Sequence, residues 1–169
     1  MSTTLKPAYG SSSALTTTNL QSLASNPTWT TGWSSAVQDN TSNLYDDVLV
    51  TGTIKMGGSS ATANTVCEIW AWAPLDDTPT YPDTITGSEA SGIALTSANV
   101  KLSGAFKRLG SFIFDPNASR VYPFSYSLAN AFDGYMPKKW GLFITHNAGV
   151  ALNASGNVVS IIPLQYQNV

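Results

Sequence analysis

The chain has a single histidine, His146, and a single cysteine, Cys67. A Ser-His-Asp triad would need His146 as its base, and no serine lies in a Gly-x-Ser-x-Gly elbow. His146 stands in Thr145-His146-Asn147-Ala148-Gly149. There it reads as a residue that closes a strand and hydrogen-bonds a turn. One histidine also excludes metal motifs that need two. One cysteine excludes an internal disulfide framework. Cys67 borders an apolar run with no evident cation beside it, so it reads as a small buried hydrophobe.

The carboxylates offer two further chemistries. Asp46-Asp47 cannot serve one site from within a strand, because neighbours there point to opposite faces. Glu68 falls in a strand pattern, but a retaining glycosidase needs a second carboxylate about 5 Å away, and the sequence supplies no partner. The segment from Asp76 through Asp77 to Asp83 holds three carboxylates among hydroxyls and carbonyls, the hard oxygens that calcium prefers. Its spacing matches no EF-hand, and aspartates also serve turn geometry. It is expected to be an acidic loop without an ion. Asn40, Asn117 and Asn153 begin glycosylation-like tripeptides, which arise by chance in a chain so rich in Ser, Thr and Asn. The five tryptophans, Trp29, Trp33, Trp70, Trp72 and Trp140, suit either a sugar-stacking platform or core and interface anchors. Anchoring is the favoured reading. No catalytic residue, metal ligand or cofactor is assigned.

The elements that would hold these residues are strands. Val48, Val50, Gly52 and Ile54 alternate with Leu49, Thr51 and Thr53. From Val66 to Ala73 both faces are largely apolar apart from Glu68, which predicts a strand in mid-sheet with cover on both sides. Further strands are expected over 107–114, 121–128, 140–147 and 158–166. Pro163 should place the last one at a sheet edge or on a bulge. Residues 74–87, with three prolines and Tyr81, read as an ordered loop, and 92–102 are ambiguous. About eight strands, punctuated by turns and without a long amphipathic helix, predict an all-β fold. We expect a single antiparallel β-sandwich, a jelly roll rather than the alternative Ig-like arrangement.

Residues 1–28 stand apart. Leu5, Leu15, Leu20 and Leu23 are scattered among Ser and Thr, and Pro7 and Pro27 break any long helix. Such a segment regains little when ordered alone. It is expected to be an N-terminal arm ordered by contacts outside its own sandwich, which would span 29–169. Leu5, Leu15, Leu20, Leu23, Trp29 and Trp33 are therefore the candidate partner-binding residues.

Composition narrows the function classes. The 169 residues carry eight Lys plus Arg and a net charge of −2, so there is no basic stripe for nucleic acid and little attraction to an anionic membrane. Charged residues make up 11% of the chain, whereas Ser, Thr and Asn together supply 52 of 169. No run approaches a membrane span, and the start has no basic and apolar signal pattern.

Several strings carry a resemblance. They are Leu23-Ala24-Ser25, Trp29, Gly32-Trp33-Ser34-Ser35-Ala36-Val37, Tyr45-Asp46-Asp47, Tyr81-Pro82-Asp83, and the run from Pro137-Lys138-Lys139-Trp140 through Gly141-Leu142-Phe143-Ile144-Thr145-His146-Asn147. Together with the Ser/Thr-rich start, the chain resembles small virion structural proteins of tailed bacteriophages that decorate or cement the head. The resemblance implies a non-enzymatic protein, made in a host cytoplasm and carried in the virion. Its partners would be the major capsid protein and copies of itself. A low-charge, hydroxyl-rich sandwich with edges able to pair between chains suits that role. The alternative is a carbohydrate- or receptor-binding sandwich of a tail fibre or baseplate.

Overall fold

The computed structural model describes residues 4–168, so the first three residues of the expected arm and the last of the expected sandwich domain lie outside it. The strands are β1 (Leu5–Tyr9), β2 (Ser13–Ala14), β3 (Thr31–Ser34), β4 (Gln38–Asp39), β5 (Asp47–Lys55), β6 (Val66–Trp72), β7 (Ala90–Ala94), β8 (Phe106–Ile113), β9 (Val121–Ser127), β10 (Lys139–His146) and β11 (Val158–Asn168). One helical turn, α1 (Leu128–Ala131), follows β9. All pairings are antiparallel. One sheet runs β1-β11-β5-β9, with β2 also on β11. The other runs β7-β3-β10-β6-β8, with β4 also on β10. The fold is an all-β sandwich.

The pairing has a simple logic. β1 pairs with β11, β3 with β10, β5 with β9 and β6 with β8. With β7 set aside as an added strand, the chain is one long antiparallel ribbon rolled over on itself. β11·β5 and β10·β6 are the contacts made by the rolling.

Period-two patterning decides which side chains go inside. Val48, Val50 and Ile54 of β5 face the space between the sheets and are buried with Cys67, Ile69 and Ala71 of β6 and Leu142 and Ile144 of β10. The opposite face of β6 carries Trp70 and Trp72. They form a second apolar cluster with Phe143, Phe106, Ile85 and Leu95. The long β6–β7 and β7–β8 connections supply its cover. Tyr81 packs edge-on against Trp72, with ring centroids 5.7 Å apart. The second sheet is thus covered on both faces, as the doubly apolar β6 requires.

Two expectations are corrected. The N-terminal segment is not an arm outside the sandwich. β1 is a strand of the first sheet, and Leu20 and Leu23 are buried in the main core. Gln21 and Leu23 tie the segment down: Gln21 Oε1 accepts from Asn157 Nδ2 at 3.0 Å, and Leu23 O accepts from Leu152 N–H at 3.0 Å. A boundary at 28/29 therefore cuts through one folded unit. Second, of the two places expected for Pro163, the sheet edge is wrong, since β1 and β2 cover the side of β11 away from β5; the register steps by one residue between Tyr9↔Leu164 and Ser13↔Ile161, so a bulge falls opposite Pro163, in the 10–12 link. Gly10 N–H donates to Pro163 O at 2.8 Å. Pro163 therefore faces the gap between β1 and β2, where its missing donor removes only the return bond to Gly10, at the point where the ladder is already interrupted.

The same register argument places the other strand prolines. In β1 the even residues face β11, so Pro7 turns its donor-less nitrogen to the free edge. In β9, Met56 N–H bonded to Arg120 O sets the even residues toward β5, so Pro123 also points to the free edge. Both free edges of the first sheet lack a donor at mid-strand, which works against the edge-to-edge pairing between chains that the composition had suggested.

Candidate functional site

Three connections meet at the end of the sandwich where β5 begins and β6 ends. They are the β4–β5 turn (40–46), the start of the β6–β7 connection (73–77) and the stretch after α1 (132–138). Together they enclose an open groove of about 930 Å³. Leu44, Leu75 and Tyr135 line it and are 72%, 64% and 79% exposed. Tyr45, Pro74, Met136 and Pro137 add further apolar lining.

Local chemistry fixes each rim residue. In the β4–β5 turn the buried Asn40 side chain accepts from Tyr45 N–H at 2.8 Å and donates to Tyr45 O at 3.1 Å. Leu44 N–H donates to Asn40 O at 3.0 Å, and Gln165 Nε2 donates to Asn43 O at 2.7 Å. These bonds hold Leu44 in the left-handed region, φ 51°. That conformation costs an L-residue about 1–2 kcal/mol. In that turn the large apolar side chain of Leu44 stays in solvent.

Tyr135 is placed by the end of α1. Asp47 caps the helix start, accepting from Ser127 Oγ at 2.7 Å and Ala129 N–H at 2.8 Å. Gly134, at φ 91°, donates its N–H to Ala129 O at 2.8 Å and turns the chain outward at Tyr135. On the third side, Asp76 accepts from Thr80 N–H at 3.0 Å and Thr80 Oγ1 at 2.9 Å, closing its own loop.

Charges around the groove are mutually engaged. Lys138 Nζ contacts both oxygens of Asp77 at 3.0 and 3.1 Å, and Lys139 Nζ lies 3.6 Å from Asp39. Asp46 accepts from Tyr166 N–H at 2.8 Å. What the groove offers is an apolar rim on hydrogen-bonded turns. A Leu or Tyr side chain moved from water into a partner contributes about 1.5–3 kcal/mol.

Of the residues singled out by type, Asn40, Asp46, Asp76 and Asp77 line the groove, whereas Asp83, Glu68, Cys67 and His146 lie elsewhere. Asp83 bonds Thr96 N–H at 2.8 Å and Thr96 Oγ1 at 2.9 Å, so Asp76, Asp77 and Asp83 serve three separate partners. Among the described residues no group of three or more His, Cys, Asp or Glu comes together. His146 is buried at the end of β10, with Nε2 3.1 Å from Leu23 O and Nδ1 accepting from Ala148 N–H at 3.4 Å. Burial holds its pKa below the ordinary value, against the contrary pull of the Leu23 carbonyl. Cys67 is buried, and desolvation followed by the nearby Glu68 charge pushes its thiol far up.

Glu68 sits beneath cations and an indole. Lys101 Nζ is 2.8 Å from it, Trp70 Nε1 3.0 Å and Arg108 3.6 Å. Burial raises the Glu68 pKa, and the bonds from Lys101 and Trp70, with the two positive charges, outweigh that and leave it lowered. Lys101 is itself buried, its ammonium 5.0 Å from the Trp70 ring and 5.9 Å from Trp29. The cluster pins the 98–102 turn onto the second sheet.

The sequence-based partner residues divide. Leu5 is exposed on β1, and Leu15 is half-buried against the core. Leu20, Leu23 and Trp33 are interior and present nothing to a partner. Trp29 is half-buried over Lys101. Trp33, Trp70, Trp72 and Trp140 are all buried, so the tryptophans form no exposed sugar-stacking row. Leu44, Leu75 and Tyr135 were missed. Their signal was a lone large apolar residue inside a polar turn, as in Asn40-Thr41-Ser42-Asn43-Leu44. Two of the quoted strings, Tyr45-Asp46-Asp47 and Pro137-Lys138-Lys139, converge here from distant parts of the chain.

A scan against protein-family models gives no match to this chain, and a search among curated proteins gives none either.

Proposed function

We propose that the chain is a non-enzymatic structural protein of a tailed-bacteriophage virion, which binds the major capsid protein and stabilises the shell. The observation that carries docking is the groove rim: Leu44, Leu75 and Tyr135 stand exposed around one end of the sandwich, and Leu44 is held there in a costly backbone conformation. Large exposed anchors on a pre-organised surface are how protein interfaces concentrate their energy. Assignment to a phage head draws on the sequence resemblance and on the low-charge, hydroxyl-rich composition. The ribbon pairing β1·β11, β3·β10, β5·β9 and β6·β8 supports reading the sandwich as a jelly roll, an architecture common among capsid proteins.

The test is co-sedimentation with purified shells. Wild-type protein should bind saturably, and Leu44→Asp with Tyr135→Asp should weaken binding at least about tenfold, equivalent to ~1.4 kcal/mol. Unchanged binding of the double variant would remove the groove from the account. The alternative, a carbohydrate- or receptor-binding module of a tail fibre or baseplate, draws on the exposed Tyr135 ring in an open groove that also holds Thr41 and Asp46. A glycan-array hit abolished by Tyr135→Ala would favour it.

A further inference from the structure

We infer that β1 is an exchangeable strand, able to leave β11 of its own chain and pair in the same register with β11 of a second copy. The two halves of β11 are held differently. Val158 to Leu164 lie against β5, but β5 begins at Asp47, opposite Leu164. Among the described residues, 165–168 therefore have β1 as their only neighbouring strand and overhang the body as a two-stranded ribbon. On the far side the ribbon is braced by side chains, Asp46 on Tyr166 N–H and Gln165 on Asn43 O. Those braces hold β11 and leave β1 untouched.

β1 itself has no anchor in the core. Leu5, Lys6, Pro7 and Tyr9 are exposed and Ala8 is half-buried. A two-stranded ribbon without a buried face is marginal in water. The chain is firmly held only further on, where Leu15 packs on the core and Leu20 and Leu23 enter it. Between lies an exposed stretch, Gly10-Ser11-Ser12, beside Pro163, where the pairing to β11 is interrupted between β1 and β2. An unanchored strand, an exposed link and a firmly seated segment after it are the parts a strand exchange needs. Only a second copy offers this strand a surface of proven complementarity, its own β11, with the same backbone bonds restored. This does not depend on docking to a shell, although copies held side by side would raise the effective concentration for it.

Register gives a direct test. Lys6, Ala8 and Gly10 form the hydrogen-bonded pairs, so Tyr9 and Leu164 are a non-bonded pair, with Cα atoms expected about 4.5 Å apart, within disulfide reach. Both side chains are on the outer face, and Cys67 is buried and inert. Full-length Tyr9→Cys and Leu164→Cys proteins, one isotope-labelled, are mixed at high concentration, oxidised and resolved by mass. Exchange predicts the mixed dimer as the dominant cross-linked species. The same oxidation of a Tyr9→Cys/Leu164→Cys double variant should give an intrachain disulfide and abolish later exchange. An intrachain disulfide in the double variant with no mixed dimer in the mixture would overturn the inference. Failure of both would overturn the register on which it rests.

Discussion

Replacing Leu20 by Ala tests whether the N-terminal segment belongs to the core. Leu20 is fully buried in the main apolar cluster, beside the nearly buried Leu23. Removing its branched end forfeits transfer free energy and leaves a cavity, so the loss should be about 3–4 kcal/mol. For a domain of this length each kcal/mol lowers Tm by roughly 2–4 °C, which predicts a fall of about 6–16 °C. Leu5→Ala, on the exposed face of β1, should stay within about 0.5 kcal/mol of wild type. Truncation sharpens the contrast. Deleting residues 2–12 removes β1 and should leave a cooperative melt. Deleting 2–28 also removes Leu20, Leu23 and the Leu23 carbonyl that Leu152 and His146 bond. The two leucines alone are worth about 6 kcal/mol or more, comparable to the whole stability of a domain, about 5–15 kcal/mol. The assay is thermal and urea unfolding by circular dichroism. A Leu20→Ala protein within about 0.5 kcal/mol of wild type, or an intact cooperative melt after deleting 2–28, would place the segment outside the core.

Four other outcomes follow from buried and half-buried groups. Lys101→Met should destabilise by about 2 kcal/mol, less than the 3–5 of a fully buried broken pair because Glu68 is partly exposed and keeps Arg108; Glu68→Gln in the same protein should recover part of the loss, measured as a double-mutant cycle. His146 has a folded pKa below its ordinary 6.5, so the unfolded chain binds the extra proton first; stability should be complete above that value and fall as pH drops below it, by at most ~1.4 kcal/mol per pH unit, and His146→Gln should flatten that part of the urea-midpoint profile. Glu68, whose folded pKa is lowered, should add a separate loss on acidification below about pH 4.5. Cys67 should react with a thiol reagent at the rate of global unfolding, and fast labelling of the native protein would contradict its burial.

The sandwich was legible where local pattern and tertiary need coincide. Val48, Val50 and Ile54 alternate cleanly, and β6 has two apolar faces because a second cluster under the 74–105 connections covers its outer side. The N-terminal strands were not legible. Leu-Lys-Pro-Ala-Tyr has a proline and no alternation, and its partner lies at the other end of the chain. A pairing so distant leaves no local signature, and the same distance hid how Pro163 would be covered. Leu20 and Leu23 carry the right chemistry for a core, but the Ser and Thr around them mask it. The groove shares this limit. Leu44, Leu75 and Tyr135 come from three connections that only the rolled topology brings together. The residues conspicuous by type, His146, Cys67 and Glu68, are structural because burial and nearby partners already use their chemistry.

Cryo-electron microscopy of the assembled particle would locate the protein and the face by which it docks. The account predicts density for this sandwich on the outside of the head, with the Leu44, Leu75 and Tyr135 end seated on the major capsid protein. Density confined to the tail, or a shell contact made by the opposite end of the sandwich, would contradict it.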